Sequence, residues 1–563
     1  MRTGSRAPAP PQLQVPKPSD ERLSLKGILL YSPVPSPCIP SMLPRHGKKP
    51  PPLNTRKILR YMCWLTVLIT LVYLRRWIRR APQEGPSTLK HDVHGHEMAE
   101  DSRLPNYASP IAIAEKDGRL RWTIHIPSSK GFPLTTQEYF DICDHVDDIS
   151  RHVAEINGNG NNNDRAVARY YDHDPGYIDV AQAQLQDLLP LDPRFTPSGD
   201  VPMCKSSLIY VLDNSDAGLG SSLLGLWLAY GLAQFEKRAF FVDDTNFTYG
   251  RFSSLFAPIP HPGCRPPPPS HRVPCPRMSQ HLVIASSMKD RNFGRAFRDR
   301  FTEKDIFDMI SVGYEALFNL LPEDQAYADL RTLELRSRLA TDTLLGGMHI
   351  RRGDRHPDAP QYQRGYIPPA EYLDALERSI MNNSTRDAEH TFILASDDAD
   401  IYHHPDLKHK TTRAQDRLSL ASANHLPDTD KQTTLGWERG FFRDTFWNLG
   451  LSDHARTSHR LQHSPLPNLG KDSKWAEQRL LAQKDRGRDY RSHPTEEALQ
   501  QRVLIGRSYL LDLAVLSRTD QLVCAVSSRG CQILGIMMGW DAIERGMWLN
   551  IDRARTGGWR VDL

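Results

Sequence analysis

The chain has 563 residues, with 71 lysines and arginines against 67 aspartates and glutamates and a net charge of +4. That near balance gives no general reason to invoke nucleic acid as a partner, and the length exceeds what one hydrophobic core fills, so two or more lobes with appendages are expected. Forty-three prolines and a mean hydropathy of -0.52 point to long non-globular stretches.

Residues 1–56 are rich in proline, serine and basic side chains, with runs such as Pro50-Pro51-Pro52. Such a segment buries too little apolar surface to offset its ordering entropy, so a disordered cytosolic tail is expected. Residues 57–79 are the candidate membrane span. Their uncharged core, 61–74, is 14 residues long, short of the roughly 20 that cross a typical bilayer. Lys57, Arg60, Arg75 and Arg76 can snorkel to the interfaces, and the thinner membranes of the early secretory pathway accept shorter spans. Basic residues flank the segment on both sides, so its orientation rests on the large folded remainder that follows it. The expectation is a single-pass type II signal anchor in the ER or Golgi membrane, with the catalytic part luminal; a buried amphipathic helix is the alternative. Residues 80–203 read as a stem with some order near its end, including a helix over 141–157.

The first folded half is expected over 204–345. A β-rich run at 207–212 leads into a turn over 213–222, an apolar helix over 223–235 and a second strand over 238–243, which together make a βαβ unit. Gly218 and Gly220 in that turn would let backbone approach a ligand, and the helix N-terminus favours an anion. Tight strand-to-helix turns also use glycine for steric reasons alone.

The second half, 346–563, carries the stretch richest in chemistry. An apolar strand ends at His349, and Arg351, Arg352, Asp354, Arg355, His356 and Asp358 follow at once. Ligands of open α/β sheets bind beyond the carboxyl ends of strands, and paired arginines can grip phosphate oxygens two at a time. A helix over 369–380 precedes a strand that ends in Asp397-Asp398; a helix over 503–517 precedes a strand that runs into Ser527-Ser528 and a further helix over 531–538. A polar insertion, about 411–501, interrupts this half, and its most site-like piece is Gly436-Trp-Glu-Arg-Gly-Phe-Phe442. Two facing βα-rich halves describe an α/β fold of the GT-B type, two Rossmann-like halves after a single N-terminal transmembrane helix.

His349-Ile-Arg-Arg-Gly-Asp354, Ala395-Ser-Asp-Asp398 and Leu522-Val-Cys-Ala-Val-Ser-Ser528 through Cys531, in this order, resemble the motif blocks of the α1,6-fucosyltransferases. That family includes enzymes of N-glycan cores and of nodulation factors, with protein O-fucosyltransferases more distant. The resemblance covers about 206–552. It implies a metal-independent inverting transferase that moves L-fucose from GDP-fucose to a glycan or glycoprotein hydroxyl, with no cofactor. It further implies that Arg352 holds the β-phosphate and that Arg351 steadies the loop. His349, Tyr372, Asp512, Ser527 and Ser528 would line the donor site, and Asp398, beside Asp397, would read guanine or ribose. By the same resemblance Cys524 pairs with Cys531 and Cys204 with Cys264.

The departures from that pattern fall just after the arginines. Arg355 stands where the N-glycan enzymes have lysine, and their proposed general base, a glutamate, has no counterpart. Asp358 is the nearest carboxylate, which leaves Arg352, Asp354 and Asp358 as the catalytic candidates. Two other readings stay open: a glycan- or nucleotide-binding pseudo-transferase without turnover, and a metal-dependent GT-A enzyme that uses the Asp398-Ala-Asp400 triplet.

Overall fold

The computed structural model describes residues 104–158, 174–193, 201–213, 218–339, 343–352, 367–383, 391–419, 494–552 and 559. The expected cytosolic tail, the candidate membrane span and residues 420–493 of the insertion, including the aromatic cluster at 436–442, lie outside them. Among the described residues no helix is long and apolar enough to cross a membrane.

The architecture is mixed α/β with two parallel sheets. The first half is built on β3 (Ser207–Val211), α3 (Leu219–Phe235), β4 (Ala239–Asp243) and β5 (His281–Ala285), with strand order β4-β3-β5, all parallel. Every residue of β3 and β5 is buried, as a parallel strand covered on both faces requires. Leu208, Tyr210, Leu282 and Ile284 point to one face, against α3 and the helix α4 (Glu303–Leu317); Ile209, Val211, Val283 and Ala285 point to the other.

That second face is covered by residues read from the sequence as a stem. The hairpin β1 (Ser109–Ala114) and β2 (Leu120–His125), the helix α1 (Thr136–Ile156) and the short helix α2 (Val180–Leu185) pack there through Trp122, Ile124, Tyr139, Ile142 and Val180. From residue 104, then, the described part of 80–203 is a structural layer of the first half. A disulfide between Cys143 and Cys275 fastens this layer, and Cys204–Cys264 forms as the family resemblance implies.

The second half follows helix α5 (Pro322–Ser337). Its sheet has five parallel strands in the order β10-β9-β6-β7-β8: β6 (Leu345–Ile350), β7 (Thr391–Ser396), β8 (Thr411–Arg413), β9 (Gln521–Cys524) and β10 (Trp548–Asn550). Residues 411–413, placed by the sequence reading at the start of the insertion, pair with β7 as an edge strand instead. Helix α6 (Pro369–Asn383) covers Met348, Ile350, Leu394 and Val523 on one face. Helices α7 (Glu496–Leu516) and α8 (Arg529–Met538) cover Leu345, Ile393, Leu522 and Cys524 on the other. The latter core is continuous with that of α3 and α4 in the first half, and Phe307 on α4 meets Trp540 and Trp559 edge-on at ring centroid distances of 5.0 and 4.8 Å.

One buried polar pair in the first half sets a pH dependence. His271 bonds Gln184 at 2.6 Å and His281 bonds Ser207 at 2.9 Å, both in fully enclosed positions. Burial first, and then neighbouring positive charge, pushes each imidazole down to about 4. Unfolded histidine binds its proton near pH 6.5, so between pH 6.5 and about 4 the unfolded chain holds more protons than the folded one. The stability contributed by these residues is complete above pH 6.5 and is lost as pH falls towards 4. Urea unfolding of the wild type is expected to show lower stability at pH 5 than at pH 7, and the His271→Gln/His281→Gln double variant a flatter slope. Equal slopes for the two proteins would contradict this assignment.

Candidate active site

Because β6 lies between β9 and β7, three carboxyl ends open side by side. The chain leaves β6 towards α6 on one face and returns to β9 from α7 on the other, so the crevice at β6 and β9 is a topological switch point, the usual ligand position in such sheets. Arg351 and Arg352 follow β6, Asp397 and Asp398 follow β7, and Ser527 and Ser528 lie just past β9. The backbone N–H of Arg352 donates to Asp397 at 2.8 Å. The Arg351 guanidinium lies 3.5 Å from the Asp397 carboxylate and that of Arg352 3.6 Å from Asp398. The Asp398 N–H donates to Ser396 Oγ at 3.1 Å, which fixes the turn after β7. These contacts hold two guanidinium groups and two carboxylates in register at the strand ends.

His349 faces the other way from the α6 core. Its imidazole is enclosed, and its Nδ1 has no hydrogen-bond partner. Burial, followed by the Arg351 charge, pushes it down to about 4, so it is neutral at physiological pH. A Cβ on Gly530 would sit 2.7 Å from this ring, so only glycine fits there. Asp512, on α7, is likewise enclosed; burial raises its carboxyl well above the usual range, Arg413 and Gln415 pull it back in part, and Asp397 adds to the rise. Its Oδ1 has no hydrogen-bond partner.

At the start of α8, Ser528 occupies the N-cap position without making a side-chain cap, and its buried Oγ is unpartnered. Gly218 caps α3 in the first half, also without a side-chain bond. By contrast α1 and α4 carry complete capping boxes from Thr135 with Glu138 and from Thr302 with Asp305. Helix α8 thus starts at the cleft without a side-chain cap, whereas the first N–H of α3 donates to the Tyr249 hydroxyl at 3.2 Å; both N-termini carry partial positive charge. The Cys524–Cys531 disulfide, as the resemblance implies, closes the loop that carries Ser527 and Ser528.

The surroundings of Tyr372, Gly218 and Gly220 differ from one another. Tyr372 is 2% exposed and packs with Met348, Ile350 and Leu376 in the core under α6. Gly218 is exposed, with open space where a Cβ would be and an ordinary negative φ, so nothing there demands glycine. Gly220 does require it, though not for a ligand: a Cβ would meet the Tyr509 hydroxyl at 2.7 Å and Arg529 Cβ at 2.9 Å. Its small size lets the two halves touch. Asp354 and Asp358 lie outside the described residues.

The sequence reading missed Tyr509, Arg529 and Lys289. Tyr509 stands three positions before Asp512, on the same face of α7, which is the signal that could have found it. Its hydroxyl sits between Gly220 and Gly530, and burial raises it above the usual phenol range, with Arg351 opposing. Arg529 is the first residue of α8 and bonds Gln532 at 2.8 Å. Lys289, the first basic residue beyond the end of β5, donates to Ser221 Oγ in the first turn of α3. Asp213, beyond β3, accepts from Thr136 at 3.1 Å and from the Ser287 N–H at 3.1 Å, and so ties the strand end to α1 and to the loop after β5.

No family model matches this chain, and no curated protein matches it. Solved structures similar to it include the NodZ α1,6-fucosyltransferase soaked with GDP-fucose, at 12% identity and a TM-score of 0.30 over 59% of this chain and 93% of that one. The same enzyme co-crystallized with GDP is similar at 11% identity and a TM-score of 0.26, over 58% of this chain and 90% of that one. The fucosyltransferase NodZ from Bradyrhizobium is similar at 11% and 0.25, over 58% and 91%. These are loose likenesses of chain path, and the structures concerned are α1,6-fucosyltransferases.

Proposed function

We propose that this protein is a GT-B type, metal-independent, inverting glycosyltransferase that moves L-fucose from GDP-fucose to a hydroxyl of a glycan or glycoprotein. The observation that supports this reading most is the meeting of Arg351, Arg352, Asp397, Asp398, Ser527 and Ser528 at three adjacent carboxyl ends, next to an uncapped helix. Phosphate oxygens find there both fixed cations and the partial positive charge of a helix N-terminus.

In the reaction the bond between the sugar C1 and the β-phosphate oxygen breaks, and its electron pair stays on GDP. Negative charge grows on that oxygen as the bond lengthens. Arg352 stabilises the growing charge more than the resting diphosphate, which lowers the barrier. The acceptor hydroxyl attacks from the opposite face and gives its proton to a carboxylate of the segment after Arg352, for which we propose Asp358 or Asp354. Arg351 steadies the loop through Asp397, Asp398 reads guanine or ribose, and neutral His349 and Asp512 line the donor pocket. The three disulfides among the described residues fit an oxidising compartment. We therefore place the catalytic part in the lumen of the ER or Golgi, anchored through 57–79.

Arg352→Ala is expected to abolish fucose transfer from labelled GDP-fucose, by about a thousandfold or more, with an unchanged melting temperature; a folded variant that still transfers fucose would refute the phosphate role. Ser528→Ala removes a buried hydroxyl without a partner, so its stability should match the wild type or exceed it by ~1 kcal/mol, whereas GDP affinity should fall severalfold. A stability loss with unchanged GDP binding would mean that Ser528 serves the fold. Activity is expected to survive EDTA, and its loss on chelation with recovery on adding Mn²⁺ would favour the metal-dependent reading. GDP binding with neither hydrolysis nor transfer, across a screen of glycan and peptide acceptors, would favour a binding protein without turnover.

A further inference from the structure

The arginine motif faces an equal number of carboxylates. With Arg351 3.5 Å from Asp397 and Arg352 3.6 Å from Asp398, the four formal charges cancel. A diphosphate calls for more positive potential than a balanced quartet provides. The seam between the halves holds two more cations. Lys289 comes from the first half and rests on Ser221 in the opening turn of α3; Arg529 comes from the second and opens α8. They converge because Gly220, the neighbour of Ser221, brings the α3 backbone into contact with Arg529.

Burial, and after it the charge of Arg529, holds the Lys289 ammonium below its ordinary range. Asp290 opposes this in part, and the two cations stand close enough that one anion between them would interact with both. Other features point to an anion as well. Helix α8 begins at this seam without a side-chain cap, and the N-terminus of α3, whose first N–H donates to the Tyr249 hydroxyl, adds its partial positive charge. Ser528, 4% exposed, turns there an Oγ that has no hydrogen-bond partner.

We propose that Lys289 and Arg529 form a second anion grip, one cation from each half, which holds the β-phosphate of a nucleoside diphosphate against Arg352 and so bridges the two halves. This rests on the diphosphate-donor reading above and adds residues that the arginine motif does not contain. The grip explains how a site whose motif charges cancel can still bind a multivalent anion.

Binding of GDP, GMP and inorganic pyrophosphate to the full chain, measured by calorimetry, tests the grip in Lys289→Met, Lys289→Arg and Arg529→Gln. GDP and pyrophosphate affinity should fall about tenfold or more in the Met and Gln variants, the loss of a charge-assisted hydrogen bond, while GMP binding changes by less than about twofold. Lys289→Arg, which keeps the charge, should retain most of the GDP affinity. Wild-type GDP affinity in both neutral variants would overturn the grip and leave the diphosphate reading standing. Equal losses for GMP and GDP would also overturn it, because the pair would then serve the fold of the whole pocket. A wild type that binds pyrophosphate but not GDP, with that binding lost in the variants, would support the grip and sink the guanosine reading; a wild type that binds no diphosphate would sink both.

Discussion

The structure depends on the position of β6. Paired on both edges and buried on both faces, this strand brings its carboxyl end between those of β7 and β9, so residues more than a hundred positions apart in sequence emerge within one crevice. Helices on opposite faces lock that arrangement: α6 covers one side, and α7 with α8 covers the other. The strand itself can carry no polar side chain before its end. Chemistry therefore begins abruptly at His349 and is concentrated in the residues just after it.

The first half contributes differently. Its three-stranded sheet is too small to be stable with one face in water, and the hairpin, α1 and α2 close that face. Only because both faces are covered can the ends of β3 and β5 be held firmly enough to offer α3 and Lys289 to the second half. The shared core of α3, α4, α7 and α8 makes the two halves one packing unit, with the seam at its edge.

What could be read from the chain follows from locality. Parallel strands buried on both faces are continuous apolar runs, so 207–212, 391–396 and 521–526 were visible, and the residues straight after such runs were credible site residues. A helix over 141–157 was also read from the chain, and the observed α1 begins five residues earlier, spanning Thr136–Ile156. The hairpin was not visible, because strands of six residues with mixed burial have weak alternation and acquire meaning only against a sheet far along the chain. Tyr372 shows another limit. Motif position suggested the donor site, whereas helix rotation, which sequence spacing left open, sets its side chain among Met348, Ile350 and Leu376. Lys289, Tyr509 and Arg529 could not be grouped from sequence, since their proximity is created by packing between the halves. The Cys143–Cys275 pair was hidden for the same reason, 132 residues separating its members.

The contact of Tyr509 with Gly220 and Gly530 has a consequence for how such chains can diverge. The phenol fills a space bounded by backbone from both halves, with the His349 ring beyond. A larger residue at either glycine has no room unless position 509 shrinks, and a smaller residue at 509 opens a hole that only the glycine positions can refill. Positions 220, 509 and 530 form one steric unit, so among related sequences they should change together or not at all, although they lie on three different helices.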